Sequence, residues 1–331
     1  NSMIYPTVTD MGSGIYQVMY VPKTSGSYQL SAFYGSMRSL FTFYVYPGAV
    51  DALTCYAQGV SLSVATAGFS ASFTIQSKDA FLNDRIVGDD MLVSRLVYHD
   101  DRNNANVSFN LRSHYIGQGP STNLGRYVTS YRASRSGKYQ IDVRIAKQNG
   151  LNTTYYSDDN LTMPTFSSID SNIDYDWGNE SPYQNGFSDI FSVGWTGFLR
   201  ARYQEVHTFQ IQLPNPLERV KLWVDNEWII DQWSSLQSIA PSGTLFMSSQ
   251  LLVDVEMQYR ASTGQSKVQL WWNSLSQVDE IVPSSSFFSS ADPIRGSPFG
   301  LSIFPALSCG ATSIARGDGL SLATAGYPAT F

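Results

Sequence analysis

An internal repeat is the sequence feature that most constrains how this chain can fold. Residues 13–34 and residues 124–145 align without gaps at an offset of 111 residues, which places Tyr16 on Tyr127 and Tyr28 on Tyr139. Each copy holds two segments of alternating apolar and polar residues, joined by a short turn that contains glycine. This alternation is typical of strands with one buried face, and the pair predicts a β-hairpin. We therefore predict repeated antiparallel β-units.

A second internal match indicates that one repeat is interrupted. Residues 62–73 (LSVATAGFSASF) match residues 320–331 (LSLATAGYPATF) at an offset of 258 residues, which exceeds the first offset by 147. An excess of 147 residues is close to the length of one ordinary domain, about 150 residues. We therefore expect a second domain within the repeat.

The repeat residues resemble filamin-type immunoglobulin-like repeats. The shared elements are a small-residue opening (59–83), a Gly88-Asp89 step, a Gly-X-Tyr hairpin and a closing strand with Gly-Ser-Pro-Phe (296–299). The closing strand 294–305 lies some 150 residues after the strand 136–145 that should precede it. The resemblance implies three repeat pieces. They are the C-terminal half of a repeat at 1–48, a complete repeat at 54–150 plus 291–305, and the start of another at 306–331.

Residues 151–290 resemble a different family, the domain first named from anthrax protective antigen and found also in glycosidases and yeast adhesins. Its marks here are Trp177-Gly178, the WTGF segment at 195–198, the LWVD hairpin with IIDQW after it, and the closing VPSS at 282–285. Together the two resemblances imply an all-β fold. Tandem immunoglobulin-like sandwiches would carry a second β-sandwich inserted before the last strand of one repeat, with Gly150 and Ala291 close together in space.

Composition and sequence motifs limit the classes of partner that this chain can bind and indicate where the protein is located. The net charge of −6 offers no basic surface for nucleic acid, and no apolar run is long enough to span a membrane. Four Asn-X-Ser/Thr sequons, at Asn106, Asn152, Asn160 and Asn179, are candidates for N-glycosylation and favour a secreted or cell-surface protein. Cys55 and Cys309 lie at equivalent places in successive repeats, too far apart to bridge. Each should be a buried free thiol or should bond a cysteine outside this chain.

Candidate ligand-binding residues come from the second resemblance. Sugar-binding members of that family hold calcium with two consecutive aspartates on a loop, but the matching loop 214–219 reads PNPLER. The aspartate pair is missing, and Arg219 opposes a cation, so we expect neither a metal nor another cofactor. If this loop or the nearby hairpin tip binds a ligand, the candidates are Asn215, Glu218, Arg219, Asp225, Asn226 and Trp228. Trp228 is expected to be exposed, where it could stack on a sugar or a neighbour. The other six tryptophans are expected in the core.

No catalytic constellation is visible. The three histidines are scattered, and neither a Gly-X-Ser-X-Gly segment nor a Cys–His pair suggests a nucleophile. We therefore do not expect an enzyme. The first hypothesis is a structural segment of a large extracellular repeat protein, which forms a fibre, coat or adhesive stalk through self-association or neighbouring repeats. The alternative is a carbohydrate-binding adhesin module on an immunoglobulin-like stalk, and the third hypothesis is a cytoplasmic filamin-like cross-linker.

Overall fold

The computed structural model describes most of the chain. The described residues are 4–100, 105–117, 124–182, 190–234, 238–249, 251–261, 265–307, 314–317, 320, 321, 325, 327, 328 and 330. Most of the segment 306–331, including Cys309, lies outside the described residues, as does the side chain of Asn106. Every regular element in the described part is a β-strand or a short 3-10 turn, which confirms the all-β prediction. No described helix is long and apolar enough to cross a membrane.

The N-terminal segment forms two separate antiparallel hairpins. Their strands are β1 (Thr7–Asp10), β2 (Tyr16–Met19), β3 (Gly26–Tyr34) and β4 (Met37–Val45). Apolar side chains on the second hairpin face solvent: Phe33, Met37 and Phe41 are 70%, 73% and 57% exposed. The hairpin predicted between the strand at 16–19 and the strand at 26–34 is wrong, because β2 pairs with β1 and β3 pairs with β4.

The next strands build two sheets that pack face to face, here called the host sandwich. They are β5 (Tyr56–Gln58), β6 (Val64–Thr66), β7 (Ala71–Gln76), β8 (Leu92–Asp100), β9 (Ala105–Leu111), β10 (Ser113–Tyr115), β11 (Arg126–Tyr131) and β12 (Gly137–Lys147). One sheet has the order β10-β11-β7-β5, whereas β12 lies in the other sheet. The hairpin predicted between β11 and β12, the two strands of the second repeat copy, is therefore wrong, because the turn at 132–136 carries the chain from one sheet to the other. In β12 the predicted alternation is confirmed, because Tyr139, Ile141, Val143 and Ile145 are all buried in the core between the sheets.

After β12 the chain enters a second sandwich, here called the insert. Its strands are β13 (Leu151–Tyr156), β14 (Pro164–Asp170), β15 (Asp174–Gly178), β16 (Ser192–Arg200), β17 (Glu205–Gln212), β18 (Arg219–Val224), β19 (Glu227–Asp231), β20 (Ser242–Met247), β21 (Leu252–Arg260), β22 (Ser266–Ser274), β23 (Glu280–Ile281) and β24 (Phe287–Phe288). One sheet has the order β14-β13-β16-β21-β18-β19 and the other β15-β22-β17-β20. Trp195, Trp272, Tyr259, Phe191 and Phe209 fill the core between them.

The chain then returns to the host sandwich in β25 (Ser290–Pro293) and β26 (Phe299–Phe304). Both strands pair with β12: β26 lies along its first half, with Tyr139 opposite Leu301, and β25 along its second half, with Ala146 opposite Ala291. The second host sheet thus has the order β6-β26-β12-β8-β9, with β6 parallel to β26. The strand that leads into the insert and the strand that leads out of it are hydrogen-bonded neighbours.

A glycine makes the sharp turn into the insert possible. Gly150 has a φ of +110°, and a Cβ atom placed on it would lie 2.1 Å from the carbonyl oxygen of Asp170. Only a residue without a side chain fits so close to another backbone in this conformation. The turn therefore depends on glycine at this position.

The two sandwiches touch through a small apolar cluster with polar contacts beside it. Val93 of the host packs against Leu252 and Phe288 of the insert, and all three are buried. Next to the cluster, Arg95 Nη2 lies 2.6 Å from Asp254 Oδ2, and Asn110 Nδ2 donates to Asp225 Oδ1 at 2.8 Å. The contact holds the insert in a defined orientation on the host.

Candidate functional site

Strand β18 organises the predicted site residues, because they lie at its two ends. Val220, Leu222 and Val224 point into the insert core, so Arg219, Lys221 and Trp223 lie on the outer face of the sheet. Asn215, Glu218 and Arg219 are at the start of the strand, whereas Asp225, Asn226 and Trp228 are beyond its end. A six-residue strand is about 20 Å long, so the six predicted residues form two groups rather than one site.

The polar side chains of the loop before β18 form hydrogen bonds within the loop and to a neighbouring backbone carbonyl. Asn215 Oδ1 accepts from the Leu217 backbone N–H at 2.9 Å, and Asn215 Nδ2 donates to the Gln265 carbonyl at 3.1 Å. Arg219 Nη1 donates to the carbonyl oxygens of Pro216, Leu217 and Glu218 at 3.0, 2.8 and 3.0 Å. The guanidinium group therefore takes the backbone oxygens that a hard cation would use.

Glu218 lies beneath this loop rather than on its surface. The residue is only 2% exposed, and its carboxylate lies beside Tyr259. Burial and the negative charge of Glu218 raise the pKa of the Tyr259 hydroxyl far above its ordinary value. One buried carboxylate next to a guanidinium does not fit calcium, and the described residues contain no group of three or more metal-ligating side chains.

The hairpin tip after β18 turns through two residues with positive φ, Asp225 at 54° and Asn226 at 62°. These angles are typical of the tight turn that joins two strands by two residues. The Asp225 carboxylate accepts from Asn110 of the host. Burial, followed by the nearby charges of Asp254 and Glu227, raises the pKa of Asp225. Asp225 thus contributes to the contact between the sandwiches.

Three tryptophans surround one lysine on the outer face of this sheet. The Lys221 ammonium lies 5.6, 5.1 and 5.4 Å from the ring centres of Trp223, Trp228 and Trp233, and the Arg260 guanidinium lies 5.3 Å from Trp233. Trp223 and Trp228 meet with ring centres 4.5 Å apart. We call these five residues the tryptophan face. Trp228 is 57% exposed, as predicted.

The prediction that the other six tryptophans are core residues is right for Trp195 and Trp272 and wrong for Trp223 and Trp233. Trp223 alternates with Leu222 and Val224, which are buried, and so must point outward. Trp233 follows β19 and covers Arg260 and Lys221. Trp177 is half-buried and packs against the core. The prediction is also wrong for Trp271, which lies between buried Leu270 and Trp272 on β22 and so points outward. Lys221 and Arg260 were not among the predicted site residues, although the alternation of β18 places Lys221 on the same face as Trp223.

The glycosylation candidates occupy different settings. Asn160 and Asn179 are exposed in turns. Asn152 lies within β13, and its amide donates to the Ser289 carbonyl, whereas Asn106 lies in β9. Modification at these four positions stays a prediction.

The thiol of Cys55 is free and completely buried in the host core. Burial raises its pKa to about 11, so the thiol is protonated at neutral pH. Its partners are the backbone N–H and carbonyl of Lys78. A buried, protonated thiol is unreactive, so Cys55 has a packing role.

Comparison with known proteins identifies the insert. Residues 147–286 match the family model described as the PA14 domain. The anti-sigma-I factor RsgI3 of Acetivibrio thermocellus is 34% identical over 152 residues, which is 46% of this chain and 23% of the relative. The chain therefore spans about a quarter of the length of this curated relative.

Two solved structures are also similar. One is an anti-sigma factor domain-containing protein from Clostridium clariflavum, with 34% identity, a TM-score of 0.40 and coverage of 43% of this chain and 47% of that one. The other is a PA14 sugar-binding domain from an RTX adhesin, with 13% identity, a TM-score of 0.35 and coverage of 43% and 99%. None of the three proteins is named as an enzyme. The expected protective-antigen-type domain is thus confirmed: residues 147–286 of this chain are a PA14 domain, inserted into an all-β host.

Proposed function

We propose that this chain is a non-enzymatic, carbohydrate-binding segment of a cell-surface protein, in which the host sandwich displays the PA14 domain. The single observation that supports this most is the tryptophan face. An exposed indole ring beside hydrogen-bonding cations offers both an apolar surface for the C–H groups of a sugar ring and donors for its hydroxyls. The RTX adhesin domain, which is described as sugar-binding, is also a PA14 domain, and this is consistent with the same class of ligand.

The tryptophan face is held in place before any ligand arrives. Lys221 packs between the rings of Trp223, Trp228 and Trp233, so their orientations are set by contacts within the protein. Cation–π contacts of this kind contribute about 0.5–1 kcal/mol each at exposed sites. A face already ordered in this way loses little conformational entropy when it binds a ligand.

Binding at this face would not need calcium. The loop before β18 has no aspartate pair, and its carbonyl oxygens already accept from Arg219. The tryptophan face uses rings and side-chain donors, which require no bound ion. We therefore propose binding that persists in the presence of a chelator.

A screen of the purified chain against neutral glycans, with and without EDTA, tests this function. We expect binding that EDTA does not change and that Trp228→Ala weakens on the order of tenfold or more. Phe246→Ala is the matched control, because Phe246 is 58% exposed on β20 of the other sheet. Loss of binding in EDTA, or an equal effect of the two substitutions, would contradict the proposal.

A second candidate function rests on the similarity to the anti-sigma-I factor RsgI3. We propose that the chain belongs to the ligand-sensing part of a longer protein that binds a sigma factor through segments outside residues 1–331. Co-purification of the full-length protein with the sigma factors of its own cell tests this candidate. Full-length protein that binds none of them would exclude it.

A structural role as a fibre, coat or stalk remains a third proposal, supported by the exposed apolar side chains of the β3–β4 hairpin. The flanking sandwiches would then be filamin-type repeats at 1–48, at 54–150 plus 291–305, and from 306 to 331. Electron microscopy of native material tests it: an ordered filament or layer is expected, and only isolated molecules would contradict it. The four sequons and the inserted PA14 domain argue against the cytoplasmic cross-linker.

A further inference from the structure

A groove at the open edge of the host sandwich is lined by aromatic rings and arginines. It lies where the chain crosses from β9 in one sheet to β10 in the other, and it has a volume of about 730 Å³. This volume falls within the range of small-ligand pockets, about 300–1,000 Å³. The groove belongs to the host and not to the PA14 domain, so it is separate from the tryptophan face.

The walls of the groove supply apolar ring surface. Tyr98 and Tyr139 lie side by side with ring centres 4.8 Å apart, and Phe109 is 52% exposed. Tyr139 and Tyr131 are held by hydroxyl bonds to the backbone carbonyls of Arg135 and Ser61. Tyr131 and Tyr139 are buried, so the ring surface that is open to a ligand belongs to Phe109 and to the half-buried Tyr98.

The rim of the groove carries three positive charges and no negative one among the described residues. Arg112, Arg132 and Arg135 line the groove, and all three are exposed. Within the described part of the chain, none of their guanidinium groups forms an ion pair or a side-chain hydrogen bond, whereas Arg85, Arg95 and Arg144 are all paired with aspartates. In a chain with a net charge of −6, three exposed arginines around one groove form a local positive patch.

We propose that this groove is a second binding site, specific for acidic saccharides that carry a carboxylate on the sugar ring. A planar guanidinium group binds a carboxylate through two parallel hydrogen bonds, and the accessible rings of Phe109 and Tyr98 contact the C–H side of a sugar. A uronate unit presents both features within one ring, which matches cations placed at the rim of an aromatic wall. This site is independent of the proposed function of the tryptophan face.

Binding of an alginate hexasaccharide to the whole chain in calcium-free buffer tests the proposal, with the carboxyl-reduced hexasaccharide as the neutral probe. We expect the acidic probe alone to bind, with an affinity that falls as salt is raised. The double substitution Arg132→Gln with Arg135→Gln should weaken binding more than tenfold, because it removes two charge-assisted hydrogen bonds. Arg112→Gln provides a second, independent variant.

Arg202→Gln is the matched control, since it removes the same charge from an exposed arginine on the insert. Phe109→Ala should weaken binding, since stacking is part of the proposed site.

Equal binding of the reduced probe, or an equal effect of Arg202→Gln, would overturn the proposal. Equal binding of a poly-glutamate peptide with the same arginine dependence would also overturn it, because the groove would then take an acidic peptide rather than a sugar. The alginate hexasaccharide should bind with unchanged affinity when a neutral glycan that the chain binds is present at a saturating concentration. That result would establish that the two ligands occupy separate sites.

Discussion

Arg95 of the host and Asp254 of the insert form an ion pair with 2.6 Å between Nη2 and Oδ2. The Arg95 guanidinium also lies 5.6 Å from the ring of Phe198, so the pair extends the apolar cluster of Val93, Leu252 and Phe288. One residue on each sandwich thus carries part of the contact that orients the PA14 domain on its host.

Charge reversal tests this contact. We expect Arg95→Asp and Asp254→Arg each to lower the free energy of unfolding by about 1 kcal/mol, because each places two like charges together at a partly exposed site. The double reversal should recover most of the loss. Urea unfolding of the four proteins measures the coupling, and strictly additive losses would show that the two side chains do not interact.

Replacement of Gly150 tests the turn into the insert. Gly150→Ala should destabilise the protein by several kcal/mol, because the new Cβ would lie 2.1 Å from the Asp170 carbonyl oxygen in a left-handed conformation. Gly300→Ala is the matched control, since no atom lies within 4 Å of its added Cβ. Thermal unfolding measures both, and an equal small change in the two variants would contradict the expected clash.

Asp79 should make the host sandwich sensitive to acid. Its buried carboxylate accepts from Asn83, Gly48 and Phe81. Although burial alone would raise the pKa of Asp79, these hydrogen bonds lower it below the ordinary value. A lowered pKa adds stability above the pKa of the unfolded chain, near 4, and this stability is lost as the pH falls through the folded value.

Comparison of the free energy of unfolding of the wild type and Asp79→Asn across pH 2–7 measures this effect. We expect a difference of about 1–3 kcal/mol at neutral pH that shrinks as the pH falls. Asp84→Asn is the control, since Asp84 forms only a surface pair with Lys78. A difference for Asp79→Asn that is constant with pH would contradict a lowered pKa.

Cys55 should be protected from alkylation in the native protein. Its burial and its pKa of about 11 leave almost no thiolate at pH 8. Iodoacetamide labelling followed by mass spectrometry of the peptide that contains Cys55 measures the protection. We expect labelling only under denaturing conditions, and rapid labelling of the folded chain would show that the thiol is accessible.

The sequence predicted the architecture well where the pattern of burial is local. The alternation of Tyr139, Ile141, Val143 and Ile145 identified β12, and the separation of β12 from the closing strand indicated an insertion. The resemblance to the LWVD hairpin predicted the hairpin tip, where Asp225 and Asn226 both have positive φ angles. These features depend on neighbours along the chain.

The candidate site was less predictable because it depends on contacts between distant segments. Trp233 and Arg260 come together only after β21 pairs with β18. Glu218 is buried beside Tyr259 of β21, a contact that residue type alone does not predict. The groove combines Arg112 and Arg135 from different connections of the host, and its aromatic wall is visible only once the two sheets are stacked.

The pairing of β25 with β12 has a mechanical consequence. A pull on the two ends of the chain would be carried across the hydrogen-bonded ladder that β26 and β25 form with β12, from Gly137–Ile303 to Lys147–Ser290, and the insert would feel no tension while the ladder holds. Rupture of that ladder would place the insert under load, and its unfolding would release residues 151–290 as slack. The strand pairing of the host sandwich would thus bear the force and protect the displayed domain from mechanical unfolding.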